Sequence, residues 1–150
     1  MELKLPDLGD GTLAFQPSNN KLGPYTLEDE FLQSSEGRRS KPFVTTPGHH
    51  SFKLGETWLV RGRSLGAIAW FTSGKLASVT LFLLPDVQGW SGWSEQQALD
   101  ERDQLEQLLT ENYGDVRAFS WGGASASYDP RSGSSSIVVR YHRSGSDVEP

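Results

Sequence analysis

Ser94-Glu-Gln-Gln-Ala-Leu-Asp-Glu-Arg-Asp-Gln-Leu-Glu-Gln-Leu-Leu-Thr-Glu-Asn-Tyr113 and, after a short connection, Phe119-Ser-Trp-Gly-Gly-Ala-Ser-Ala-Ser-Tyr-Asp-Pro-Arg-Ser-Gly-Ser-Ser-Ser-Ile-Val-Val-Arg-Tyr141 decide the fold. Ser94 and Gln97 have the spacing of a capping box, and Gly114 stands where a helix ends on a glycine. On a helical wheel of about 100° per residue, Ala98, Leu105, Leu108, Leu109 and Tyr113 gather on one side. Gln96, Asp100, Asp103, Gln107 and Glu111 gather opposite, while Glu101 and Arg102 fall inside the apolar arc. The first segment is therefore an amphipathic helix with one side for a sheet and an acidic side for water. The second reads as a β-hairpin, with Asp129-Pro-Arg-Ser-Gly133 as a turn. There Asp accepts local backbone bonds, Pro presets the backbone and Gly tolerates positive φ.

Upstream of the helix the text is mostly strand-like. Leu65-Gly-Ala-Ile-Ala-Trp-Phe71 and Leu76-Ala-Ser-Val-Thr-Leu-Phe-Leu-Leu84 flank Thr72-Ser-Gly-Lys75, a hairpin signal. In its second arm Val79, Leu81 and Leu83 share one face and Ser78, Thr80 and Phe82 the other, the pattern of a half-covered antiparallel strand. Leu3 to Leu5 and Leu13 to Phe15 read as two short strands around the turn-forming Pro6-Asp-Leu-Gly-Asp-Gly11. Thr26 is placed to cap a short helix from Leu27 to about Ser34, with Glu28, Asp29 and Glu30 favourable to its dipole, and Ser35 to Pro42 reads as a polar loop. A loop carrying Trp90 and Trp93 spans Pro85 to Trp93, and the tail from Ser144 is expected to fray. The fold class is α+β: residues 1-150 as a single domain, with a mainly antiparallel sheet of roughly six to eight strands. One long amphipathic helix packs on a face of that sheet, and one short helix lies near the N-terminus.

The chain has 150 residues, an apolar fraction of 35%, 16 glycines and no cysteine. Without cysteine there is no disulfide, thiolate catalysis or Cys-based zinc site. The formal charge of -5 argues against a nucleic-acid partner held by phosphate neutralisation and suits a basic protein partner. The longest apolar run, Val79 to Leu84, falls far short of the roughly 20 residues of a membrane span, and the start of the chain lacks the features of a secretory signal. No membrane partner and a cytoplasmic location are the expectations.

Chemistry is harder to place. His49 and His50 are adjacent and on a strand point to opposite faces, so they are poorly placed to share a metal, and His142 stands alone. The glycine-rich pieces lack the lysine of a phosphate loop, and Arg38, Arg39 and Lys41 read as a solvated basic loop. Asp100, Asp103 and Glu111 lie on a solvent face rather than in a cleft, which disfavours a catalytic carboxylate pair. Trp58, Trp70 and Trp121 lie in strand-like text as core or sheet-face residues; Trp93 precedes the helix cap and is structural, leaving Trp90 free to anchor a partner. No catalytic residue, metal site or cofactor is expected.

Gly23-Pro-Tyr-Thr-Leu-Glu-Asp-Glu-Phe-Leu32, the Phe71-Thr-Ser-Gly-Lys-Leu76 hairpin, the acidic helix and the Trp121 to Tyr141 hairpin together resemble small bacterial immunity-type proteins that accompany toxins of interbacterial competition. The resemblance implies a non-enzymatic, stoichiometric inhibitor of a cognate toxin, with Trp90, Asp100, Asp103 and Glu111 as partner-binding residues toward a basic toxin domain. Two alternatives stand beside it: a small enzyme with an unrecognised carboxylate/His site, and an envelope-associated ligand-binding module. A deep polar pocket holding His49 or His50 with carboxylates would favour the first, and an apolar cavity the second.

Overall fold

In a computed structural model, residues 1–84, 94–131 and 133–142 are described. The Trp90 and Trp93 assignments, Ser132 and the tail lie outside them. The strands are β1 (Glu2–Lys4), β2 (Leu13–Gln16), β3 (Lys21–Leu22), β4 (Lys41–Thr46), β5 (His49–Lys53), β6 (Trp58–Val60), β7 (Arg63–Thr72), β8 (Lys75–Leu83), β9 (Ala118–Phe119), β10 (Gly122–Asp129) and β11 (Ser134–Tyr141). The helices are α1 (Glu28–Gln33), α2 (Ser35–Arg38) and α3 (Glu95–Tyr113). The fold class is α+β, with one mostly antiparallel sheet in the order β3-β2-β1-β6-β7-β8-β11-β10-β9. The single exception to antiparallel pairing among the described strands is β1 against β6.

The central hairpin follows the sequence closely. Thr72 pairs with Lys75 around Ser73 (φ 51) and Gly74 (φ 81), two positive-φ residues of the kind whose twist matches the flanking strands. Val79 and Leu81 are buried, on the face that alternation assigns to them. Ten-residue β7 is long enough to serve two strands along its other edge: β6 pairs with Arg63 to Leu65 and β5 with Ile68 to Thr72. Between them Leu54 N–H donates to Ala67 O at 3.0 Å and continues the ladder.

Helix α3 lies on the face of β10 and β11, with Ala98, Leu105, Leu108, Leu109 and Tyr113 buried as the wheel requires. Ser94 Oγ accepts Gln97 N–H at 3.0 Å, and Gly114 closes the helix at φ 65 with its N–H on Thr110 O. Glu101 and Arg102, inside the apolar arc, are half-buried, and burial raises the Glu101 carboxyl. Phe31 of α1 packs on Phe52 and Phe71, so α1 covers the same side of the sheet.

Three expectations are corrected. The described sheet has eleven strands, not six to eight, because several are two or three residues long and carry too little alternation to register as separate elements. The N-terminal region holds two short helices rather than one: Ser34 ends α1 and its Oγ accepts Gly37 N–H at 3.1 Å, starting α2 where a loop was expected. Beyond it, Lys41–Thr46 is a strand with all six residues exposed, as an edge strand tolerates. Finally, Thr26 does not cap α1. Leu27 occupies the cap position, its N–H held by the Glu30 side chain, while Thr26 Oγ1 accepts Gly23 N–H.

Candidate functional site

Helix α3 concentrates charge. It holds six carboxylates against the single guanidinium of Arg102, a helix charge of -5 equal to that of the whole chain. The remainder is therefore neutral in sum, and the net charge of the chain equals that of this one helix. The anticipated residues divide within it. Asp100 and Asp103 share the exposed outer side; Gln96 Nε2 donates to Asp100 at 3.0 Å, and Arg102 lies 3.3 Å from Asp103. Glu111 is exposed too but sits on the flank, where Arg61 and Arg63 from the β6–β7 turn reach it at 3.4 and 3.7 Å. Its charge is committed inside the chain. On the other flank Arg117 pairs with Glu106 and also bonds Gly114 O and Thr110 Oγ1, tying the helix end to the strand that follows.

The histidines separate as strand alternation requires. His49 pairs with Thr72 and stays exposed, whereas His50, opposite Phe71, brings Nδ1 to 2.8 Å from Glu28 Oε2. Leu27, Glu28, Asp29, His50 and Ser73 line an open depression of about 510 Å³ at that point. Two backbone bonds, Ser73 N–H to Gly48 O and Glu28 N–H to Gly74 O, brace it. Chemically this offers an imidazole oriented by a carboxylate, with Ser73 in the same wall. Sequence reading missed the pair because 22 residues separate its members and Glu28 already had a reason to stand in the first turn of a helix. Among the described residues no three His, Cys, Asp or Glu side chains come together as a metal site. A second groove, about 480 Å³, is lined by apolar Leu3, Leu5 and Val60 and by charged Glu2, Lys4 and Arg61, and so is not the apolar cavity a lipid-like ligand requires.

The most deeply placed charge is Glu36, 2% exposed. Its carboxylate accepts from Ser18 Oγ at 2.7 Å, Asn20 Nδ2 at 2.7 Å and Ser35 Oγ at 3.2 Å. Desolvation pushes its carboxyl up, but the bonds from Asn20 and Ser18 outweigh it and hold the group below its ordinary range. It borders a pocket of about 260 Å³ shared with Lys21 and Glu30. With its oxygens occupied by Ser18 and Asn20, Glu36 fastens α2 to the turn after β2.

No protein-family model, curated protein or solved structure matches the chain. Function is therefore argued from the geometry alone. Among the described residues no helix is long and apolar enough to cross a membrane.

Proposed function

We propose that the chain is a non-enzymatic binding protein of the immunity type, which covers a basic toxin domain with the outer side of α3. The observation that supports this reading is the charge of α3, presented on the exposed side of a helix whose other side is locked into the core. Charge of one sign on a rigid surface raises the rate of encounter with an oppositely charged partner and discriminates against acidic ones. Asp100 and Asp103 carry the contact, with Trp90, which lies outside the described residues, kept as an anchor in the proposal; Glu111 is left to its arginines.

The experiment is a pull-down from the native host followed by stopped-flow association with the captured basic protein. Asp100→Lys with Asp103→Lys slows association by about tenfold or more at low salt and leaves the melting temperature within a degree or two, since exposed charges act on encounter more than on folding. Unchanged association would remove the acidic side of α3 from the interface. Adding Glu111→Lys is a different experiment, because it sets a lysine against Arg61 and Arg63 and lowers stability as well.

The enzyme alternative has one specific observation in its favour, the His50–Glu28 depression. Changing His49, His50 and His142 together to Gln distinguishes the two. The binding reading expects protection from the toxin to persist in the folded triple variant. Loss of protection there would transfer the function to the His50 depression.

A further inference from the structure

The side of the sheet opposite α3 has its own chemistry. Strands β4, β5, β7, β8 and β11 contain no acidic residue and five cations, Lys41, Lys53, Arg63, Lys75 and Arg140. Arg63 turns to Glu111. Strand register sends Lys53 and Arg140 to the other face: Lys41, Lys53, Ile68, Thr80 and Val138 stand opposite one another in one row, and Ser51, Trp70, Ser78 and Arg140 in the next. Lys53 and Arg140 are exposed, and among the described residues no carboxylate pairs with them; the Lys53 ammonium lies 5.5 Å from the centre of the Phe82 ring. Trp70 is half-buried, fixed by its Nε1–H on Thr80 Oγ1 at 2.9 Å, and Phe43, 51% exposed, stands edge-on to it at 5.9 Å.

Aromatic rings flanked by cations on a sheet face are what unstacked bases joined by phosphates require: bases stack on the rings and phosphates meet the cations. The spacing suits this arrangement. With strands about 4.8 Å apart, Lys53 stands about one strand to one side of Trp70 and Arg140 about two strands to the other, so the cations bracket the ring across about three strands, a span that takes in more than one nucleotide of an extended strand. The net charge of the chain hides the cationic face, because the compensating acid is carried by α3 behind the sheet. We propose that this face, centred on Trp70 with Phe43, Lys53 and Arg140, binds a short single-stranded nucleic acid.

The test is fluorescence anisotropy of labelled eight-nucleotide oligo(U) and oligo(dT) with the full chain at 50 and 200 mM salt. Binding in the micromolar range is expected, weaker at the higher salt. Lys53→Gln with Arg140→Gln weakens it and lowers the salt slope by about 1.4, at roughly 0.7 for each phosphate contact on a single strand. Trp70→Ala weakens binding at least tenfold, with circular dichroism confirming the fold. Phe43→Ala, at an exposed edge, asks the same question without risk to the core and weakens binding several-fold. Asp100→Asn with Asp103→Asn leaves affinity unchanged or slightly higher, which separates this face from the α3 interface. Absence of binding at millimolar protein, or affinity indifferent to Lys53, Arg140 and Phe43, overturns the proposal. So does equal competition by poly-L-glutamate, which would assign the face to acidic polypeptides instead.

Discussion

Trp121→Ala is expected to lower the folding free energy by about 3 to 5 kcal/mol, the range for emptying a large aromatic site in a core. Trp121 is 6% exposed and stacks on Phe119 at 4.8 Å and an interplanar angle of 5°. Tyr113 and Tyr141 complete the cluster, at 5.0 Å from Phe119 and 5.6 Å from Trp121. Three polar bonds leave it for the same N-terminal turn: Tyr113 Oη donates to Pro6 O, Trp121 Nε1 to Leu8 O and Tyr141 Oη to Gly11 O, at 2.6, 3.2 and 2.7 Å. The N-terminal turn is clasped there to the segment from Tyr113 to Tyr141, and loss of the indole opens both a cavity and that clasp.

Gly11 supplies an internal check. It sits at φ +75, and a Cβ there would come within 2.5 Å of the Trp121 ring. Gly11→Ala is therefore costly in the native chain for two reasons, backbone strain and collision. Only the collision disappears when Trp121 is already alanine. Urea denaturation of the two single variants and the double variant measures this, and the double variant is expected to lose clearly less stability than the sum of the singles. Additive losses would mean that the turn and the indole are not in contact in solution.

The second large effect concerns Glu36. Glu36→Gln is expected to cost about 3 kcal/mol at pH 7, since bonds to a buried charge are worth about 1.5 to 3 kcal/mol each and do not add fully. An amide nitrogen in place of one oxygen also sets a donor against either Asn20 Nδ2 or the Ser18 hydroxyl, which bond different oxygens. The pH dependence has a definite sign. The folded carboxyl is held below its ordinary value of 4.5, so its contribution is complete above that value and is lost as pH falls through and below it. Denaturation at pH 7, 5, 4 and 3 should show the gap between native chain and variant narrowing below about pH 4.5, other carboxylates cancelling in the difference. A gap that stays constant to pH 3 would show that the folded site does not favour the ionised carboxyl of Glu36 over the neutral one.

Much of this was legible in one dimension because the responsible forces are local. Capping at Ser94, the glycine stop at Gly114, the apolar stripe of α3 and the alternation from Ser78 to Leu83 each depend on residues within a few positions of one another, and the structure has all four. So does the turn at Asp129, whose Oδ1 accepts Arg131 N–H. The first failures were also local, where a competing partner was closer or better placed: Thr26 bonds Gly23, and Ser34 starts a second helix. The wheel found the acidic side of α3, but nothing in it could show that Arg61 and Arg63 would reach Glu111.

By itself, then, the sequence determined the α+β class, the long helix with its buried and wet sides, the central hairpin and the face assignment of its residues, since periodicity and capping are properties of neighbouring residues. Only the tertiary structure decided which charges are free and which are spent, that His50 meets Glu28, that Glu36 is buried among hydroxyls and an amide, and that Lys53 and Arg140 stand on the sheet face turned away from the acidic helix. Those are pairings between segments distant in the chain, set by strand order and register, and register is a property of the whole sheet rather than of any one strand.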